Sequence, residues 1–337
     1  MKSNPRSVGD AFELNLWQKR QATLLYHFAS LEYLKGLKLR IDALISGADV
    51  MLDDAQVQRR DAVIVNKRRG GRNTPANWAK CGFPPLLDFQ QKTAKQIAKR
   101  THEAYSITGA YQCARMLSEF SMRCATEEEQ SAFEERSEKV YKYAYYIDDV
   151  MNRYQHWNDG IVYNIWMGVE SEYPSLCIRR HADLFPRLPK FRVCTDVIAK
   201  IGKRPPRTGV YAAQDDPYAT LQFGWTGGDS GGSLDQCVTF NDLGLSAINA
   251  VGRDNLWNES SKLLEFVKRH YFKQFEDYLR EERGSRFTPE HLNDAGWATA
   301  FISVCGTATR ACKWIYVERV NDEYEEVDDE TNFQSKL

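Results

Sequence analysis

Two short stretches carry residue types at spacings that could do chemistry. In Gly228-Asp229-Ser230-Gly231-Gly232-Ser233-Leu234 a serine stands at the tip of a glycine turn, the setting of an acyl-transfer nucleophile. Such a serine needs a neighbouring base to take its proton, and the base needs a carboxylate to orient it. The second stretch, Asp148-Asp149-Val150-Met151-Asn152, lies in a segment of helical periodicity. Carboxylates one helical turn apart there could hold Mg²⁺ against a diphosphate.

Neither stretch is completed by the rest of the chain. The serine loop resembles that of trypsin-like serine proteases, in which the histidine lies upstream in an Ala-Ala-His-Cys context among short strands. None of His27, His102, His156, His181, His270 and His291 has that context, and the residues before the loop are helical in pattern. Ser230 is therefore read as a loop residue. The paired aspartates resemble the first metal motif of class I terpene synthases, with Asn152 in place of the last aspartate. The second motif of that family has Asn-Asp, then Ser, then Glu at fixed helical spacings. In Asn241-Asp242-Leu243-Gly244-Leu245-Ser246 the serine comes one residue late, and Asn249 or Ala250 takes the carboxylate's place. A one-residue slip turns a helical ligand by about 100°. Asp148 and Asp149 are then a solvated edge beside Ile147 and Met151. No metal or cofactor is expected, and the chain is not expected to be an enzyme.

Composition narrows the partner classes. The net charge of −1 provides no overall field for nucleic acid or an anionic membrane. Two basic clusters exist: Arg59, Arg60, Lys67, Arg68, Arg69 and Arg72, and Arg187, Lys190, Arg192, Lys200, Lys203, Arg204 and Arg207. Aromatic residues are not interleaved with them as a single-strand-binding face requires. The acidic segments Glu127 to Glu129 and Asp322 to Glu330 are expected to balance them internally. No apolar run approaches the roughly 20 residues of a membrane helix, and no apolar leader follows Met1, so a cytoplasmic protein is expected. The eight cysteines form no C-x-x-C pair and are read as free thiols.

The periodicity predicts a mainly α fold, with long antiparallel helices in the N-terminal part and a helical C-terminal part with a small β element. One helix runs from Trp17 to a stop at Gly47, a second from Leu86 to Cys124, and a third from the capping box Thr126-Glu127-Glu128-Glu129. Residues 158–204 read as short helices broken by prolines, and Pro205-Pro206 as a boundary. Tyr218 to Trp225 reads as a short strand, Phe240 to Val251 and Ser260 to Glu282 as helices, and CKWIYVERV as a strand. The expected organisation is a helical region over 1–204, a core over 205–320 and an acidic, solvated tail over 321–337.

One resemblance speaks to function. Arg207-Thr208-Gly209-Val210-Tyr211, Asp216-Pro217, Leu221-Gln222-Phe223-Gly224-Trp225, Cys237-Val238-Thr239-Phe240-Asn241 with Leu243-Gly244, and Val251-Gly252-Arg253 with Leu256-Trp257 form one group. Together with Cys312-Lys313-Trp314-Ile315-Tyr316-Val317-Glu318, they resemble the C-terminal core of the bacterial family known as immunity protein 71/72. That family stands beside polymorphic toxins and type VI secretion effectors. The resemblance implies a cytoplasmic protein that binds and blocks a cognate toxin from an adjacent gene by stoichiometric occlusion, a nuclease being favoured. It implies no catalysis, no direct nucleic-acid or membrane contact, and leaves a homo-oligomer open. Polar residues placed to meet the toxin are Asp215, Asp216, Asp229, Arg253 and Asp254, with Asp322, Glu323, Glu325 and Glu326 for electrostatic steering. The alternatives are an all-α Mg²⁺-dependent enzyme acting on a diphosphate through Asp148 and Asp149, and a non-catalytic helical adaptor.

Overall fold

The three-and-four spacing of apolar residues does not end at Gly47. The computed structural model describes residues 12–58, 74–120, 124–152, 187–229, 231–253, 256 and 261–326. In it Ser30 divides the first stretch into α1 (Leu16–Ala29) and α2 (Leu31–Val57). The Ser30 hydroxyl caps α2 by accepting from the Tyr33 amide at 3.1 Å. Beyond Gly47, the residues Ala48, Met51, Leu52 and Ala55 continue the buried stripe of Leu34, Leu37, Ile41 and Leu44. A glycine costs about 1 kcal/mol inside a helix, and burial of four further side chains offsets it.

The second helix begins earlier than Leu86. Thr74 accepts from the Asn77 amide at 3.2 Å and Pro75 occupies the first turn, so α3 (Pro75–Arg100) starts on an N-cap followed by proline. It stops at Arg100, and residues 101–109 separate it from α4 (Ala110–Leu117). The third start stands as expected at Thr126. Its amide donates to Glu129 at 2.7 Å and its hydroxyl accepts from the Glu129 amide at 3.2 Å, opening α5 (Glu127–Asn152).

The chain forms two compact units, and the first boundary falls within α1, after Leu25. The helical unit holds Tyr26–Arg153 with Trp225–Gly231. Within it Tyr33 stacks on Tyr143 at 3.9 Å, and a Cβ added at Gly47 would meet Arg136, so α2 and α5 run in opposite senses. Trp78 meets Phe133 at 5.6 Å and Phe89 meets Tyr141 at 6.4 Å, so α3 and α5 run in the same sense. The three long helices are therefore not all mutually antiparallel. Residues 101–109 and α4 follow α3 in the chain, and α5 starts beside the start of α3.

The mixed unit holds Met1–Leu25, Tyr154–Gly224 and Gly232–Leu337. Its four-stranded antiparallel sheet has the order β1 (Arg187–Ala199), β6 (Trp314–Glu326), β2 (Gly209–Ala213), β3 (Gln222–Gly224). A second sheet pairs β4 (Cys237–Phe240) with β5 (Thr307–Arg310). This overturns the mainly α expectation: with about 60% helix and 18% strand the fold is mixed α/β. The largest miss is β1, read as proline-broken short helices. It is an edge strand, where Pro189 withholds no hydrogen bond from a second neighbour, and two register shifts erase its alternation. Strands were expected at both CKWIYVERV and YATLQFGW, and β6 and β3 lie there.

Between the strands run α6 (Asp242–Val251), α7 (Ser261–His270), α8 (Phe272–Arg283) and α9 (Ala295–Cys305). Tyr271 splits the single helix expected over 260–282. These helices bury Val251, Leu263, Val267, Phe275, Leu279, Trp297 and Phe301 in one cluster. Gly244 brings α6 against the backbone after α9: a Cβ there would lie 2.1 Å from the Gly306 oxygen and 2.6 Å from Phe240. Gly244→Ala is expected to destabilise the protein by about 3 kcal/mol, read as a lowered urea midpoint at unchanged slope.

Candidate functional site

The residues expected to meet a partner have different surroundings, Asp229 in the helical unit and Asp215, Asp216 and Arg253 in the mixed unit. Asp215 and Asp216 come together on Arg310. Asp216 Oδ2 accepts from Arg310 Nη2 at 2.9 Å and Nε at 3.1 Å, and Asp215 Oδ2 accepts from Nη1 at 3.3 Å. Asp216 Oδ1 also accepts from the Tyr218 and Ala219 amides at 2.9 and 3.1 Å, an Asx-type turn. Burial works against the Arg310 charge, yet the two aspartates outweigh it and raise its pKa. Asp216 is thus a structural tie, and Asp215 the more exposed member, with 64% of its side chain accessible.

Arg253 is held by rings. Its guanidinium carbon lies 5.1 Å from the Trp17 ring, 5.7 Å from Phe240 and 6.0 Å from Tyr218. That is a cation–π enclosure inside the mixed unit, with Arg253 partly buried. Asp254 and Ser230 lie outside the described residues. Asp229 is exposed in the segment of the helical unit where Gly227 meets residues 102–104. The Gly227 amide donates to the Glu103 carbonyl at 3.1 Å, and a Cβ at Gly227 would lie 2.0 Å from the His102 oxygen. The glycine just before the loop, Gly227, therefore serves close backbone packing.

The acidic stretch at 322–326 is not a free tail. Asp322, Glu323, Glu325 and Glu326 stand in the outer half of β6, opposite the basic residues of β1. Lys190 pairs with Glu323 at 2.9 Å, Arg187 with Glu326 at 3.9 Å, Arg192 with Glu318, and Lys19 of α1 with Glu325 at 2.6 Å. The charge pairing is thus present between 318–326 and the start of β1. Residues 59–73 and 327–337 lie outside the described residues.

Asp148 is not a solvated edge. It is buried, its two oxygens accepting from the Thr108 amide at 2.5 Å and the Thr108 hydroxyl at 2.8 Å. Thr108 Oγ1 in turn accepts from the Ala110 amide at 3.2 Å, so Asp148 anchors the start of α4. Burial outweighs these hydrogen bonds and pushes the Asp148 carboxyl up to about 6. Burial, then the neighbouring Asp148, pushes Asp149 up to about 7. Among the described residues no three His, Cys, Asp or Glu side chains are grouped as a metal site requires.

Both raised carboxyls hold protons in the fold that the unfolded chain, with a pKa near 3.9, has lost. Stability therefore falls as pH rises from about 4 to about 7 and is flat above that. Asp149→Asn is expected to flatten this slope and to raise stability at pH 8 by on the order of 1 kcal/mol, checked by denaturant titrations across that range.

A second acidic surface lies on the helical unit, where the start of α5 runs beside the end of α2. Asp49, Asp53 and Asp54 on α2 and Glu127, Glu128, Glu134 and Glu135 on α5 are all exposed. The last turn of α2 carries no base, so Asp53 and Asp54 face the negative end of its dipole. Each such placement costs about 0.3–1 kcal/mol. Between these carboxylates α2 exposes a line of aliphatic side chains. Leu39, Val50 and Val57 are 70%, 63% and 82% exposed. Their spacing returns each to within roughly 20° of one line along the helix. The aspartates escape a sequence reading that stops the helix at Gly47. The apolar spacing through Ala48, Met51, Leu52 and Ala55 is the signal that would have found them.

No family model, no curated protein and no solved structure matches this chain. Among the described residues no helix is long and apolar enough to cross a membrane.

Proposed function

We propose that this chain is a cytoplasmic immunity protein that binds and neutralises a cognate bacterial toxin by stoichiometric occlusion, a basic nuclease toxin being the favoured target. The observation that carries the reading is the acidic end of the helical unit. There Asp53 and Asp54 stand against the local helix dipole, with Asp49 one turn earlier, beside Glu127, Glu128 and Glu134, and with Val50 and Val57 exposed among them. Charges that oppose local stability are accounted for when they serve recognition. A carboxylate field steers a basic partner to the surface, and the aliphatic line supplies area that loses water on contact.

The resemblance in the 207–257 segment supports the same reading from a different part of the chain. The side chains there that are buried, Tyr211, Phe223, Val238 and Phe240, build the core of the mixed unit, which fits a family signature that marks shared fold. Burial of Asp148 and its hydrogen bonds from Thr108 speak for a structural role, which supports the binding reading over the enzyme alternative.

The test is co-expression with the toxin-like product of the adjacent gene, scoring survival and copurification. Rescue with an equimolar complex is the expected result. A stable complex without rescue would make the chain an adaptor. Neither rescue nor complex, with the toxin shown active, would overturn the proposal.

A further inference from the structure

Cys237 and Cys312 are held side by side by two contacts that bracket them. On one side the β4–β5 ladder places Cys237 opposite Arg310, two residues before Cys312. On the other the Trp314 indole N–H donates to the Asp235 carbonyl at 2.8 Å, two residues before Cys237. The two thiols share one cluster, Cys237 packing with Ala199, Tyr211, Leu234 and Trp314 and Cys312 packing against it. Neither is in a disulfide, Cys237 is buried, and Cys312 is partly exposed in the link between β5 and β6. That link, Ala311 to Lys313, is outside both strands, so it can shift the short way that a sulfur–sulfur bond requires without breaking a ladder.

We propose that Cys237 and Cys312 form a reversible thiol–disulfide pair whose co-substrate is a low-molecular-weight disulfide such as oxidised glutathione. The Cys312 thiolate, the member that solvent reaches, attacks the small disulfide. A mixed disulfide forms on Cys312 and one small thiolate leaves. The Cys237 thiolate then attacks Cys312 Sγ and expels the second small thiolate. Two protein thiols are oxidised, one small disulfide is reduced to two thiols, and the two protons end on those thiols. The neighbouring Cys312 thiol, then the Arg310 guanidinium, favour the Cys237 thiolate for the second step, while Cys237 and burial raise the pKa of Cys312, so the first attack is the slower one. The resulting ring encloses α6 to β5 and ties the second sheet to the root of β6. This proposal is independent of toxin binding.

The experiment incubates the full chain with graded oxidised glutathione and maps the products by peptide mass spectrometry, before and after dithiothreitol. The expected product is the Cys237–Cys312 disulfide, reversed by reductant, with the thermal midpoint raised by about 5 °C or more. Cys237→Ser is expected to trap Cys312 as its glutathione adduct, whereas Cys312→Ser should leave Cys237 unmodified. Both thiols remaining free while the similarly accessible Cys81 or Cys305 is modified would overturn the proposal. So would a Cys312 adduct that never resolves in the unsubstituted chain.

Discussion

Replacing Asp49, Asp53 and Asp54 together by lysine is expected to slow association with the copurifying toxin 10- to 100-fold at low ionic strength. The effect should shrink as salt is added, because exposed charges are screened over about 8 Å at physiological ionic strength. The same substitution should leave the fold intact and raise its stability by about 1 kcal/mol, since lysines suit the negative end of the α2 dipole. Opposite signs for binding and stability distinguish a recognition surface from a structural one. Association rates measured against salt, beside urea denaturation of the free protein, provide both readings. An unchanged low-salt association rate would remove the acidic end of the helical unit from the interface.

Trp314→Ala is expected to cost about 3–5 kcal/mol, enough to unfold a marginal domain. The indole is fully buried at the start of β6, where it packs with Tyr211, Leu234 and Cys237. Its N–H also satisfies the Asp235 carbonyl, so truncation leaves a cavity and an unpaired acceptor together. Trp314→Phe, which keeps most of the volume and loses the hydrogen bond, should cost about 1–2 kcal/mol. The two variants, compared by denaturant midpoint, separate packing from hydrogen bonding. Equal losses in both would mean that the indole N–H contributes nearly all of the effect.

Local chemistry was legible where its causes were local. The Thr126–Glu129 box depends on residues three apart, and it opens α5 as expected. The alternation in CKWIYVERV likewise marked the inner part of β6, whose Trp314, Ile315 and Val317 are buried by the strands on either side. Thr74-Pro75 is an equally local helix start, although the apolar periodicity becomes regular only from Leu86.

What the chain did not disclose by itself depended on partners far away in sequence. β1 carries a proline and two register shifts, and it is a strand because β6, more than a hundred residues later, supplies its hydrogen bonds. The acidic residues at 322–326 look solvated when read alone, and only the pairing with β1 places them beside Arg187 and Lys190. Asp148 looked like a helix edge until residues 101–109 returned Thr108 to it. Helix starts, caps and apolar stripes were determined by the sequence alone, because their energies are set within a few residues. Which carboxylates are buried, which are paired and which stay free to meet another molecule was decided only by tertiary structure, since desolvation and charge pairing depend on whatever chain folds over them.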